Sequence, residues 1–169
     1  MKIIFTLSVL FLFSVNVLAQ NKNDCGCCTE KHAEFDFWIG TWNVTNPDGS
    51  QAGSNRIEKI QDKCVLRENW SSAKSGYTGT SYNFFNGKTQ QWEQIWIDNQ
   101  GQSLHMTGRR IGNQMIMRTP DETNKDGQSF YHRITWTHNQ DGSVRQLWET
   151  ITEGKDIAIA FDGLYKKDQ

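Results

Sequence analysis

The chain has 169 residues, a formal charge of −1, two prolines, fourteen glycines and seven tryptophans. A balance so close to neutral, without a basic run, argues against nucleic acid and anionic membrane surfaces as partners. No Gly-x-Ser-x-Gly elbow, His-Glu-x-x-His pair or phosphate-cradling glycine loop occurs, so hydrolase, metalloprotease and nucleotide-binding readings have no support.

In chain order, Lys2 supplies a positive start, residues 3–18 are almost unbroken apolar, and Val17-Leu18-Ala19 offers small residues at cleavage positions. This predicts a signal peptide over 1–19, cut after Ala19, and an exported product in the periplasm or outside the cell. The apolar run is shorter than the roughly 20 residues a spanning helix needs, so no membrane span is expected. A lipid anchor on Cys25 competes with this reading, but Asn21-Lys22-Asn23-Asp24 is not the small apolar set that such processing prefers. Residues 20–34 form a cysteine-containing lead-in, and 35–169 form one domain able to bury about two-thirds of its unfolded surface.

Cys25, Cys27, Cys28 and Cys64 are an even set in an exported chain, which makes disulfides the default. Adjacent Cys27 and Cys28 are poorly placed to bond each other. Cys64 is therefore expected to pair with Cys28 or Cys27, Cys28–Cys64 being the pair taken forward. A metal site of Cys25, Cys27, Cys28 and His32 is the alternative, although its spacing is not that of a zinc motif.

Thr29 can cap a short helix running toward Phe35. The string Phe35-Asp36-Phe37-Trp38-Ile39-Gly40-Thr41-Trp42-Asn43-Val44 begins as an aromatic plug. It continues with the two-residue period of a half-buried strand. Gly40, one pleat before Trp42, allows close backbone approach beside the indole. Further strands are predicted over 54–61, 64–72, 78–85, 89–98, 103–111, 114–119, 130–138, 144–152 and 157–166. Pro47-Asp48-Gly49, Asn86-Gly87, Asn99-Gln100-Gly101, Gly112-Asn113 and Asp141-Gly142 supply turns between them. The segment 120–128 is the one long polar loop. About ten short-linked strands predict an all-β, up-and-down antiparallel barrel, which removes exposed edges.

The strings 35–42, Trp92-Glu93-Gln94-Ile95-Trp96, Arg133-Ile134-Thr135-Trp136, 144–149 and Phe161-Asp162-Gly163-Leu164-Tyr165 resemble a family of exported bacterial lipocalin-like proteins of uncharacterised function, within the calycins. The likeness covers nearly all of the chain after residue 19. It implies a lipocalin-like barrel and no particular activity. Calycins often lay an arginine from the last strand across the first-strand Trp; this chain departs from that pattern with Lys166 and Lys167.

A two-residue Asn86-Gly87 turn would set Phe85 opposite Lys88 and Ser81 opposite Trp92. One face then carries Ser81, Asn83, Phe85, Gln90, Trp92, Gln94 and Trp96, and the other Tyr82, Phe84, Ile95 and Ile97. The Asp141-Gly142 hairpin divides into Arg133, Thr135, Thr137, Gln146 and Trp148 against Ile134, Trp136, Leu147 and Ile151. His132, Arg145 and Glu149 interrupt the second set. Faces that mix tryptophan with amides suit a ligand cavity, an apolar wall with a few orienting polar groups. The candidate ligand-binding residues are Glu68, Trp70, Ser81, Asn83, Trp92, Gln94, Trp96, Arg133, Gln146 and Trp148, for a small hydrophobic or aromatic molecule. Tyr82, Phe84, Ile95 and Ile97 would then form an outer patch, which a homodimer is one way of covering. The reverse arrangement fills the barrel with the aliphatic faces.

No catalytic residue, metal ligand or cofactor is assigned. Haem held by a lone histidine is the cofactor alternative. Glu68, Glu149, Asp162 and Asp36 are the acid and base candidates, with Glu149, Arg145 and His132 as a charged trio. Two other classes stay open beside the binding protein: an isomerase, cyclase or decarboxylase using a buried carboxylate, and an interaction module with a filled barrel.

Overall fold

Thr29 accepts a hydrogen bond from the His32 amide at 3.4 Å and caps a single helical turn, α1 (Glu30–Ala33). A 3-10 turn (Asp36–Trp38) follows and carries the aromatic plug across one end of the molecule. The computed structural model describes residues 25–74 and 76–167; the expected signal peptide lies outside the described residues. No helix among those described is long and apolar enough to cross a membrane.

The strands are β1 (Gly40–Thr45), β2 (Gln51–Ile60), β3 (Val65–Ser72), β4 (Thr78–Asn86), β5 (Gln91–Asp98), β6 (Ser103–Ile111), β7 (Gln114–Arg118), β8 (Glu122–Thr123), β9 (Ser129–His138), β10 (Val144–Thr152) and β11 (Ala158–Lys167). All neighbours pair antiparallel in sequence order from β1 to β7, then β9, β10 and β11, and β11 returns to β1. Ten strands thus close an up-and-down barrel, and the two-residue β8 is an extra strand beside the start of β9. The segment expected as one long loop therefore holds a small hairpin. Its tip, Asn124 to Gln128, is closed by the Gln128 amide donating to Asn124 Oδ1.

Turn length decides which side chains point inward. At the β4–β5 turn the Gln90 amide donates to the Asn86 carbonyl at 2.8 Å, so four residues connect the strands instead of two. Phe85 faces Trp92 and Ser81 faces Trp96. The expected register is thus displaced by an even number of positions, and every expected face survives except that of Gln90, which sits in the turn with φ +57°. At β9–β10 the Asn139 amide donates to Ser143 O, and Gly142 takes φ +80°. The loop has one more residue than expected, the G1-bulge form, and the slip is odd. Gln146 therefore faces Trp136, Trp148 faces Ile134, and Arg133 points out of the barrel.

The plug closes one end. Phe35, Trp38, Trp42, Trp92, Trp136 and Tyr165 are all buried, with Phe35 stacked on Trp38 at 5.0 Å and edge-on to Trp92 and Trp136. Trp42 Nε1 donates to the Trp38 carbonyl at 2.9 Å, and Lys167 Nζ lies 5.3 Å from the Trp42 ring centre. Lys167, at the end of the last strand, thus supplies a cation over the first-strand Trp, a contact that the departure from the calycin arginine had left in question.

Two disulfides hold the lead-in. Cys64 bonds Cys27, the second of the two partners left open, while Cys28 bonds Cys25; the expected Cys28–Cys64 pair does not form. The reason is local. The Cys28 amide donates to the Cys25 carbonyl at 3.1 Å, a turn that brings those two Cα atoms within 5.3 Å and leaves Cys27 facing the β2–β3 turn. With all four cysteines oxidised, the alternative metal site loses its three thiolates and keeps only His32.

Candidate functional site

At the end opposite the plug the barrel holds a cavity of about 420 Å³. Trp70, Trp96, Trp148 and Phe161 form its aromatic walls, with Ile134 and Met106 below them. Glycines make room for these rings. Trp70 lies over Gly53, Trp96 over Gly79 and Phe161 over Gly163, each so close that a Cβ would overlap the ring. Trp70 and Phe161 meet edge to face at 5.8 Å.

Four polar lining residues, Glu68, Gln94, Gln146 and Tyr165, are joined into one network through Asn55, Ser81 and Asn83 behind them. Glu68 Oε2 accepts from Ser81 Oγ at 2.6 Å, and Glu68 Oε1 accepts from Asn55 Nδ2 at 2.7 Å. Gln94 donates to Asn83 Oδ1 at 2.7 Å, and Asn83 donates to Ser81 Oγ at 2.9 Å. On the other side the Tyr165 hydroxyl donates to Gln146 Oε1 and stands 3.4 Å from Asn55 Nδ2. Because Ser81 Oγ already accepts from Asn83, its own hydrogen is directed to Glu68. The donors therefore converge on one carboxylate. Burial raises the Glu68 pKa to about 7, against the lowering effect of Ser81 and Asn55. Burial, and then the Glu68 charge, push the Tyr165 phenol well above its ordinary range.

Of the ten expected ligand residues, Glu68, Trp70, Gln94, Trp96, Gln146 and Trp148 line the cavity. Ser81 and Asn83 lie behind it and orient Glu68 and Gln94. Trp92 belongs to the plug, where its Nε1 donates to Glu34 at 3.2 Å. Arg133 does not contribute: it pairs with Glu149 at 3.0 Å on the outer wall, a consequence of the odd slip at the β9–β10 turn. The expected charged trio separates in the same way. Arg145 binds Asp162 outside with two bonds of 2.8 and 2.6 Å, while the His132 ring accepts from Trp148 Nε1 at 3.1 Å. With Nδ1 as the acceptor, His132 is a neutral brace for the cavity tryptophan. Of the other acid candidates, Asp36 is held by Lys59 at 2.6 Å. Tyr82, Ile95 and Ile97 are exposed on the outer surface, as expected for the aliphatic face.

Tyr77, Phe161 and Tyr165 were not among the expected residues. Phe161 and Tyr165 alternate on β11 with Gly163 between them, a readable inward pattern. Tyr77 comes from the β3–β4 loop, where no periodicity signals direction. Its hydroxyl donates to Asp98 at 3.1 Å, and Asp98 in turn accepts from the Gln100 and Gln102 amides, which fixes the loop beside the mouth.

No protein-family profile and no curated protein matches this chain. What the geometry defines is a disulfide-bonded antiparallel β-barrel, plugged at one end, with an aromatic and amide-lined cavity at the other.

Proposed function

We propose that the protein binds and carries a small, largely apolar or aromatic molecule inside the barrel, as an exported member of the lipocalin-like family that its sequence resembles. The observation that carries this reading is the cavity, about 420 Å³, walled by Trp70, Trp96, Trp148 and Phe161 around a compact polar network. Its size lies within the range of about 300–1,000 Å³ usual for small-molecule sites, and so does its division into apolar wall and few polar groups. Native mass spectrometry of protein purified from an exporting host tests it. The expected result is added mass that leaves on unfolding; a bare mass, with no Trp quenching by a panel of aromatic compounds, overturns the reading.

The enzyme reading has one observation in its favour, a buried Glu68 able to change protonation near neutral pH. It requires Glu68→Gln to abolish turnover while binding persists. The interaction-module reading needs a filled barrel, which the cavity opposes.

A further inference from the structure

Within the carrier reading, on which this inference rests, we infer that the cavity selects an organic cation: an arylalkyl ammonium whose charged nitrogen meets Glu68 and whose ring lies among Trp70, Trp96 and Trp148. Three features of the site lead there.

The first is the polarity of the network. Gln94, Asn83 and Ser81 pass their donors in one direction, toward Glu68, and Asn55 donates to it from the other side. Two bonds leave a carboxylate with unused acceptor capacity, since it has about four lone-pair positions. Beside it, the buried Asn55 Oδ1 has no hydrogen-bond partner among the described residues. At the cavity, Glu68 thus keeps acceptor capacity to spare, and a bound ammonium supplies three donors.

The second is charge. Glu68 is buried and lines the cavity, and neither group that bonds to it, Ser81 or Asn55, is a cation. Tyr165 from β11 and Tyr77 from the β3–β4 loop act on it electrostatically or are acted on by it, and both are neutral phenols. Lys74 lines the cavity near its mouth, and His132 braces Trp148 on the far wall. A desolvated carboxylate is stabilised by a counter-ion that enters with the ligand.

The third is the wall. Indole faces attract cations through their quadrupole, most strongly where water is excluded. An aromatic box that contains a carboxylate favours an ammonium over a neutral or anionic molecule of the same shape.

Isothermal titration calorimetry of the mature protein with 2-(1-naphthyl)ethylammonium, 2-(1-naphthyl)ethanol and 1-naphthylacetate tests this. The ammonium is expected to bind about tenfold or more tighter than the alcohol, as a charge-assisted bond in a buried site requires, with the acetate weakest. Glu68→Gln should remove that preference, so that the ammonium binds no tighter than the alcohol. A measurement on the unaltered protein guards against a folding defect in the variant. The ammonium stays charged throughout, so its advantage should shrink as pH falls from about 8 to about 6 and Glu68 takes up a proton. Equal or better binding of the alcohol or acetate overturns the cation inference and leaves the carrier reading standing. Binding of none of the three, with a bare native mass, overturns both.

Discussion

Trp96 rests on Gly79, and a Cβ built at that glycine would stand 2.1 Å from the indole Cζ2. The two residues lie on adjacent antiparallel strands, so neither can move without disturbing the barrel wall. Gly79→Ala is expected to push the indole into the cavity and cost about 1–3 kcal/mol, the usual range for overpacking. Urea unfolding and naphthylethanol binding should both change. An unaltered midpoint would mean that the ring is held less closely than the geometry requires.

The Glu68 carboxyl makes stability depend on pH in a defined direction. Its pKa is raised from 4.5 to about 7 in the folded chain, so the folded state binds more protons than the unfolded state between those values. Stability from this group is present below that window and is lost as pH rises through it, by about 3 kcal/mol in all. Unfolding curves across the window should show this loss in the unaltered protein, and Glu68→Gln should flatten it. A rise in stability from the same group over that interval would contradict the burial of Glu68.

The two disulfides differ in what they constrain. Cys27–Cys64 closes a span of 37 residues, whereas Cys25–Cys28 closes a span of 3. On the chain-entropy account, replacing both members of the long pair by Ser costs about 4 kcal/mol, and the short pair about 1–2 kcal/mol. Thermal unfolding of the two double variants checks the order. Peptide mapping under non-reducing conditions checks the pairing itself, and a peptide joining Cys28 to Cys64 would refute it.

At the plugged end, Lys167→Ala removes a cation from the Trp42 face and is expected to cost about 0.5–1 kcal/mol. Lys167→Arg keeps the contact and should be neutral or stabilising. Differential scanning calorimetry distinguishes the two, and equal losses would assign the lysine no role beyond its stem.

The architecture was legible because hairpin turns and two-residue alternation recur along the chain, and both signals are local. The inward faces of β4 and β5 were legible for a subtler reason. The turn is longer than Asn86-Gly87 suggests, yet the displacement is even, and an even displacement leaves side chains on the same side. The β9–β10 hairpin shows the opposite case. The pentapeptide Asn139-Gln140-Asp141-Gly142-Ser143 forms a loop with its glycine at φ +80°, and the single extra residue turned Arg133 outward. The signal was in fact available earlier in the chain, since Asn46-Pro47-Asp48-Gly49-Ser50 has the same pattern and folds the same way, with the Asn46 amide donating to Ser50 O. The joining of Asn55, Glu68 and Tyr165 was not legible. It depends on closure of the barrel, which brings together side chains 110 positions apart, and no local pattern encodes that.

The plug also decides which end of the barrel carries the disulfides and the end of the last strand. Cys25 at the start of the described chain and Lys167 at its end both lie at the sealed end, one tied through its neighbours to Cys64 and the other lying over Trp42. A surface, a matrix or a fusion partner joined through either of those positions would find the mouth turned away from it. Tethering at the sealed end leaves the path for ligand exchange open.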